Sequence, residues 1–262
     1  MEHAELPDIQ NAFDDRAITL DHVGISDVRI PSTFDDGDLR QTGVATWSVA
    51  VTLAHDRRGT HMSRMVQLLE EDVDELRPEG FPTLIKAAQE RLGADTVTMT
   101  VALAIATKVA APVTGYVGHQ VHDLVFTASA TGSDFRLDTT LETDITSLCP
   151  CSKAISDYGA HNQRSRVSVT VSGIGDDMYP VPIRRIVDLV RDAGSSPVYP
   201  VVKRPDERHI TMAAFDKPMF VEDIVRSLSS ELRNFPVAHK VSATNIESIH
   251  SHNAYASLTW NP

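Results

Sequence analysis

The sequence predicts an α+β protein made of two consecutive units, each with the element order ββααββ. Two observations support this fold class. Segments rich in β-branched residues alternate apolar and polar positions with a period of two, and pairs of segments with apolar residues at helical spacing lie between them. Because the order occurs twice, we expect two antiparallel four-stranded sheets, each covered on one face by two helices.

The first unit is expected over residues 21–133, after an N-terminal arm of residues 1–20 that carries few helix or strand signals. Its strands, predicted from alternation and from β-branched runs, cover residues 22–30, 44–54, 96–110 and 117–130. Its helices cover about 60–72 and 81–93, and Gly93 ends the second one.

The second unit is expected over residues 134–262. Its predicted strands cover residues 135–146, 165–172, 237–247 and 253–260. Its predicted helices cover residues 182–193, closed by Gly194, and 218–233, which ends before Pro236. A long insertion between the first two strands contains both cysteines of the chain.

The composition is that of an ordinary globular protein, because 42% of the 262 residues are hydrophobic and 23% are charged. The formal net charge of −12 disfavours nonspecific binding to nucleic acid or to acidic membranes. No apolar run reaches the roughly 18 residues that a membrane span needs. Two cysteines and an acidic N-terminus without signal-peptide features predict a cytoplasmic protein with no nucleic-acid or membrane partner.

The segment at 147–166, SLCPCSKAISDYGAHNQRSR, contains the residues best suited to chemistry. Cys149 and Cys151 are too close in the chain to form an ordinary disulfide, so both are expected to be thiols. They could be two small buried hydrophobic residues, but the surrounding segment is too polar to fill a core. A thiolate and the imidazole of His161 are typical ligands of zinc or a similar ion. With no further cysteine, a site completed by histidine or a carboxylate and open to water is favoured, which is the catalytic pattern.

Four segments resemble the prokaryotic type IB GTP cyclohydrolases, and the resemblance extends from about residue 21 onward. They are LCPCSKAISDYGAHNQR at 148–164, KRPDERH at 203–209, FVEDIVR at 220–226 and ESIHSHNAYA at 247–256. The resemblance implies that each ββααββ unit is a tunnelling-fold (T-fold) module. It also implies assembly through sheet edges into a homotetramer or another homo-oligomer, with GTP as substrate and a divalent metal, zinc, manganese or iron, as cofactor.

The resemblance also implies roles for individual residues. The metal ligands would be Cys149, His161 and Glu207, the last of which would otherwise be interpreted as a surface acid in a loop. Cys151 would be the second, catalytic thiol. Of the two histidines in ESIHSH, His252 is chosen as the proton-transfer residue, and His250 is left with a less definite role.

Glu222 would hold the substrate base, because a carboxylate can accept both N–H groups of the guanine edge and adenine offers no such pair. The alternative is an ordinary acidic residue in the first turn of a helix. Arg164 and Lys203, with Arg64, would hold the triphosphate, and the alternative for each is a solvated surface charge. His61 lies in another segment that resembles the family, GTHMSR, but no single role follows for it.

The resemblance thus implies a metal-dependent GTP cyclohydrolase that forms 7,8-dihydroneopterin triphosphate and formate, the first step toward folate and related pterins. Two other functions stay open from the residues themselves. A zinc aminohydrolase acting on a nucleobase would release ammonia, but its usual His-x-Glu and Pro-Cys-x-x-Cys patterns are missing here. A non-catalytic scaffold with a structural metal would unfold when the metal is removed.

Overall fold

The computed structural model describes residues 8–262 and divides the chain into two compact units. Unit 1 comprises Met1–Leu103, Phe126–Leu137 and Ile174–Met178, and unit 2 comprises Ala104–Val125, Asp138–Gly173 and Tyr179–Pro262. Residues 1–7 of the predicted N-terminal arm lie outside the described residues. Residues 10–14 of the arm are hydrogen-bonded to residues 56–59, and Phe13 forms a β-bridge with Arg57.

Unit 1 contains an antiparallel sheet of long strands. They are β1 (Leu20–Asp35), β2 (Arg40–Leu53), the first part of β4 (Thr96–Ala110), the last part of β5 (Val117–Thr131) and the first part of β6 (Asp134–Leu148). The short β3 (Glu75–Leu76) pairs in parallel with β1. Strand β1 is longer than predicted, because its pairing with β2 continues to Asp35 opposite Arg40.

Two helices cover this sheet, as predicted. They are α1 (Met62–Asp72) and α2 (Phe81–Leu92), and a 3-10 turn at Pro78–Gly80 precedes α2. Gly93 ends α2 with a φ of 59°, the left-handed conformation that glycine adopts without strain. The core is aromatic: the Phe81 ring centroid lies 5.4 Å from that of Phe126 and 6.5 Å from that of Trp47.

Unit 2 contains the sheet that carries the cysteine segment. Its strand order is β10 (Ala254–Trp260), β9 (Ala238–Ile246), β7 (Asn162–Ile174) and then the remaining parts of β6, β5 and β4. The short β8 (Ser196–Pro197) pairs with β6. The pairs β10–β9 and β9–β7 are antiparallel, and all four strands predicted for this half are present.

Unit 2 has four helices, of which two were predicted. The predicted ones are α4 (Ile183–Ala193) and α6 (Val221–Leu232); α6 begins after Phe220, whose backbone N–H donates to Asp223 Oδ2 at 3.0 Å. The other two are α3 (Pro150–Ile155) and α5 (Arg204–Asp216), and the second of these replaces the loop expected around Glu207. Within residues 8–262, no helix is both long and apolar enough to cross a bilayer.

Candidate functional site

A cavity of about 300 Å³ opens in unit 2 at the ends of β6, β7 and β9. Its lining brings together residues from three of the four segments that carry the family resemblance. They include one thiol, three imidazoles, two carboxylates and two amides, contributed by Cys149, His161, His250, His252, Glu222, Glu247, Gln163 and Asn245. Of the residues that the sequence predicted for a site, Cys149, His161, Glu222 and His252 are therefore brought together.

Cys149 and His161 meet because β6 and β7 are neighbours in the sheet. Cys149 follows the last residue of β6 and caps α3, where its Sγ accepts a hydrogen bond from the Ser152 backbone N–H at 3.5 Å. Its own backbone N–H donates to the carbonyl of His161 at 3.0 Å. The intervening loop is therefore closed, with the thiol and the imidazole at its two ends.

His161 is largely buried, with 13% of its side chain exposed, and three oxygen atoms surround its Nδ1. Gln163 Oε1 lies at 2.8 Å, Ser248 Oγ at 3.5 Å and Glu247 Oε2 at 3.9 Å. The Glu247 side chain is only 8% exposed, and its Oε2 is buried without a hydrogen-bond partner. A buried carboxylate oxygen without a partner is costly, so this atom is suited to a bound cation or a substrate donor.

His250 and His252 line the same cavity from the loop before β10, and both are solvent-exposed. Their rings stack with centroids 5.1 Å apart. The ring of His250 also lies edge-on to that of His161, at 6.4 Å between centroids. His250, which the sequence left with a less definite role than His252, is thus the one whose ring faces His161.

Glu222 lies in the first turn of α6 and its carboxylate lines the cavity. The helix start is fixed to the end of β6 by two hydrogen bonds. The backbone N–H of Met219 donates to the carbonyl of Leu148 at 3.0 Å, and Ser147 Oγ donates to the carbonyl of Met219 at 2.7 Å. Glu222 is consequently presented to the same space as Cys149 and His161.

The family of the chain is shown by a match to a family model. The family model described as type I GTP cyclohydrolase FolE2 matches residues 6–256. The chain belongs to this family. GTP cyclohydrolase FolE2 of Bordetella avium is 40% identical over 255 residues, covering 96% of this chain and 95% of that protein. The FolE2 of Methylobacillus flagellatus is 39% identical, covering 96% and 94%.

A comparison of structures supports the fold class alone. Uricase from Arthrobacter globiformis matches with a TM-score of 0.50 at 8% sequence identity, and the match covers 92% of this chain and 93% of that one. At so low an identity, the match shows a shared α+β architecture with a large antiparallel sheet. The α+β class predicted from the sequence is thereby confirmed.

Two of the residues predicted as catalytic groups or metal ligands do not line the cavity. Cys151 is exposed on α3, and Glu207 is exposed in the first turn of α5. In residues 8–262, no group of three or more His, Cys, Asp or Glu side chains is arranged to hold a metal ion. The three ligands implied by the resemblance, Cys149, His161 and Glu207, are therefore not assembled as a set in the described part of the chain.

The start of α5 is nevertheless held firmly by Asp206, which is fully buried. Its carboxylate accepts hydrogen bonds from the backbone N–H groups of Val113 and Thr114, both at 2.9 Å, and from the Thr114 hydroxyl at 2.6 Å. It also accepts from the backbone N–H of Lys203 at 3.0 Å. Burial alone would raise the pKa of Asp206, but these four hydrogen bonds outweigh it and lower the pKa well below its usual value.

The three cations implied to hold the triphosphate lie in different places. Arg164 faces Asp144, with a nitrogen–oxygen distance of 3.7 Å. Arg166, which is not one of the three, shares this carboxylate at 3.3 Å. Lys203 Nζ lies 5.7 Å from the centroid of the Tyr116 ring. Arg64 lines a separate cavity of about 620 Å³ in unit 1, together with His61. None of the three lines the Cys149 cavity.

The sequence did not single out Glu247, Gln163, Ser147 or Asn245. Glu247 opens the ESIHSH segment, so its place in a family-like motif was a signal that could have been used. Gln163 follows His161 by two residues at the start of β7, and residues two apart on a strand share a face. Ser147 and Asn245 are buried polar residues on strands and carry no signal that separates them from other serines and asparagines.

Proposed function

We propose that the chain is a metal-dependent GTP cyclohydrolase that converts GTP and water to 7,8-dihydroneopterin triphosphate and formate, the first step of folate and pterin synthesis. One observation carries this proposal. A member of the type I GTP cyclohydrolase FolE2 family places a thiol, three imidazoles and two carboxylates around one cavity large enough to receive part of a nucleotide.

We propose Cys149, His161 and Glu207 as the ligands of a divalent ion; a thiolate, an imidazole and a carboxylate suit zinc, manganese or iron. Cys149 and His161 already share a cavity, and the unpartnered Oε2 of Glu247 adds negative charge beside His161. When bound, such an ion activates water at neutral pH and polarises the group that is attacked.

The helix α5 supports the choice of Glu207. Glu207, Thr211 and Phe215 follow one another at intervals of four residues, so they lie along one face of the helix. Lys153 of α3 reaches this face, because its Nζ lies 4.2 Å from the centroid of the Phe215 ring and donates to the Phe215 carbonyl. The helix that follows Cys149 therefore contacts α5 at Phe215, about two turns after Glu207.

Glu222 is proposed to hold guanine. At the N-terminal turn of α6 its negative charge is stabilised by the helix dipole, and it faces the cavity. The two carboxylate oxygens can accept from N1–H and from the exocyclic amino group of guanine together. Orientation by such a pair would bring the imidazole part of the base toward Cys149 and His161.

Cys151 and His252 are proposed to move protons during ring opening, ribose rearrangement and closure of the second ring. His252 lines the cavity and Cys151 is exposed one residue beyond Pro150, at the start of α3. Arg164 and Lys203 are proposed to bind the triphosphate, because both are exposed cations on segments that flank the cysteine loop or start α5.

We further propose that the chain consists of two tandem T-fold modules, residues 21–133 and 134–262, and assembles as a homotetramer or another homo-oligomer. The order β1, β2, α1, α2, β4, β5 in the first half supports this, as does β6, β7, α4, α6, β9, β10 in the second half once α3 and α5 are set aside as insertions. A fully active monomer in analytical ultracentrifugation at assay concentration would contradict the assembly.

The activity is tested by incubating the metal-replete protein with GTP. Formation of formate and of a pteridine that fluoresces after oxidation is expected. Release of ammonia in place of formate would favour a nucleobase aminohydrolase. Removal of metal by a chelator is expected to abolish turnover while circular dichroism shows a folded protein, whereas unfolding on metal removal would favour the scaffold.

A further inference from the structure

In the wall of the cavity, four buried polar side chains form a hydrogen-bonded network that ends at His161. Ser147, Gln163, Asn245 and Ser165 are at most 7% exposed, so water has little access to replace their partners. The network runs through β6, β7 and β9 and does not involve Cys149. The direction of each hydrogen bond in this network can be assigned, because Ser147 also contacts the backbone carbonyl of Met219, which can only accept.

The assignment starts at Ser147. Its single hydroxyl hydrogen is directed to the carbonyl of Met219, at 2.7 Å. The Ser147 oxygen can therefore only accept from its other two neighbours, which are the amide groups of Gln163 at 3.4 Å and Asn245 at 3.3 Å. Both amides must present their NH₂ groups to Ser147.

The orientation of Gln163 then determines the hydrogen on His161. With Nε2 turned to Ser147, the amide oxygen Oε1 faces His161 Nδ1 at 2.8 Å. A carbonyl oxygen cannot donate, so Nδ1 must carry the hydrogen. The Glu247 carboxylate lies on the same side of the ring, with Oε2 3.9 Å from Nδ1, and it favours the same arrangement.

We propose that Gln163, itself oriented by Ser147, is a positioning residue that keeps the neutral ring of His161 in the tautomer with hydrogen on Nδ1. Nε2 is then the nitrogen with a free electron pair, ready to bind a divalent cation. The consequence for metal binding rests on the proposed function. The tautomer itself does not, since it follows from hydrogen bonds within the chain alone.

The tautomer is measured directly by long-range ¹H–¹⁵N spectra of metal-free protein labelled with ¹⁵N-histidine, at an alkaline pH where imidazoles are neutral. The signals of His161 are assigned by their loss in His161→Asn. We expect a protonated Nδ1 and an unprotonated Nε2. The opposite pattern, with hydrogen on Nε2, would overturn the proposal.

Two variants test the role of Gln163. Gln163→Leu removes the acceptor, so His161 should shift toward the Nε2–H tautomer and zinc affinity in a chelator competition should fall by about 10-fold to 100-fold. Gln163→Glu keeps an acceptor for Nδ1–H, so the tautomer should be retained and the zinc affinity should not fall. Thr170→Val is the matched control, because Thr170 also lies on β7 but its hydroxyl lies 2.8 Å from Thr140 Oγ1 in the sheet.

An unchanged tautomer or an unchanged zinc affinity in Gln163→Leu would show that Gln163 does not position His161. Circular dichroism and thermal melting of each variant separate this outcome from unfolding. The two proposals can also fail separately. A wild-type protein with the expected tautomer but no turnover of GTP would refute the proposed function and leave the role of Gln163 standing.

Discussion

The Nδ1 atom of His161 lies 3.9 Å from Glu247 Oε2, an oxygen that is buried without any hydrogen-bond partner. The proximity places a negative charge beside a proposed metal ligand. Replacing Glu247 with glutamine keeps the shape but removes the charge. We expect Glu247→Gln to weaken zinc binding by about 10-fold in a chelator competition, as removal of a neighbouring group of a ligand commonly does. Unaltered affinity would show that the Glu247 carboxylate does not support metal binding.

Glu207 provides the contrasting test, because it is proposed as a direct ligand although it lies outside the cavity. Glu207→Gln should lower the metal content after dialysis as strongly as Cys149→Ala does, since each removes one of three ligands. Arg208→Gln is a control on the same helix turn. Full metal content in Glu207→Gln would remove this residue from the ligand set and leave Glu247 as the carboxylate nearest to the metal.

The two cysteines should differ in their effects. Cys149→Ala is expected to lower the bound metal measured by elemental analysis, because its thiol shares the cavity with His161. Cys151→Ala should keep the metal and lose most of the activity, because its exposed thiol is free for proton transfer. Equal loss of metal in both variants would contradict this division of roles.

Most strands and the apolar helices could be predicted from the sequence, because alternation and helical spacing are local signals. The helices α3 and α5 could not. No residue of α3 is buried, and α5 buries only Asp206 and Ala214, so neither has an apolar face to recognise. The capping of α5 by Asp206 was the available signal, but Asp206 is held by Val113 and Thr114, which are distant in the chain.

In the candidate site, too, local features could be predicted from the sequence and tertiary contacts could not. Cys149 and His161 are close in the chain, so their proximity could be predicted. The position of Glu247 depends on the pairing of β7 with β9, where Arg164 lies opposite Ile246. That pairing is a tertiary contact that residue types alone do not specify, and the hydrogen bond from Asn245 of β9 to Ser147 depends on it too.

Glu222 allows a test that is independent of the metal. Glu222→Gln replaces one acceptor of the guanine edge with an NH₂ group, which would face a donor. Loss of a charge-assisted hydrogen bond costs about 1.5–3 kcal/mol, so kcat/KM for GTP should fall at least about tenfold while metal content is unchanged. Asp223→Asn, one residue along the same helix turn, is a control for helix capping. A normal kcat/KM in Glu222→Gln would exclude this residue from substrate binding.

His122 is a buried histidine of unit 2 that lies outside the proposed site. Its Nε2 lies 2.8 Å from Thr107 Oγ1 and its Nδ1 lies 2.7 Å from Thr143 Oγ1. Burial, and secondly the positive charge of Arg191, lower the pKa of His122 from its usual 6.5 to about 4. The folded protein therefore holds this ring neutral at pH values where the unfolded chain would protonate it.

The sign of the pH dependence follows from this difference. The contribution of neutral His122 to the free energy of unfolding is fully present above pH 6.5. It is lost as the pH falls toward 4, because in this range the unfolded state binds a proton on His122 that the folded state does not. The loss amounts to at most about 3 kcal/mol, and burial of His239, which also lowers its pKa, acts in the same direction. His122→Gln cannot titrate, so its free energy of unfolding should fall less than that of the wild type between these pH values. Denaturant unfolding at pH 7 and pH 4.5 measures this fall for both proteins, and an equal fall would show that His122 has the same pKa in the folded and the unfolded protein.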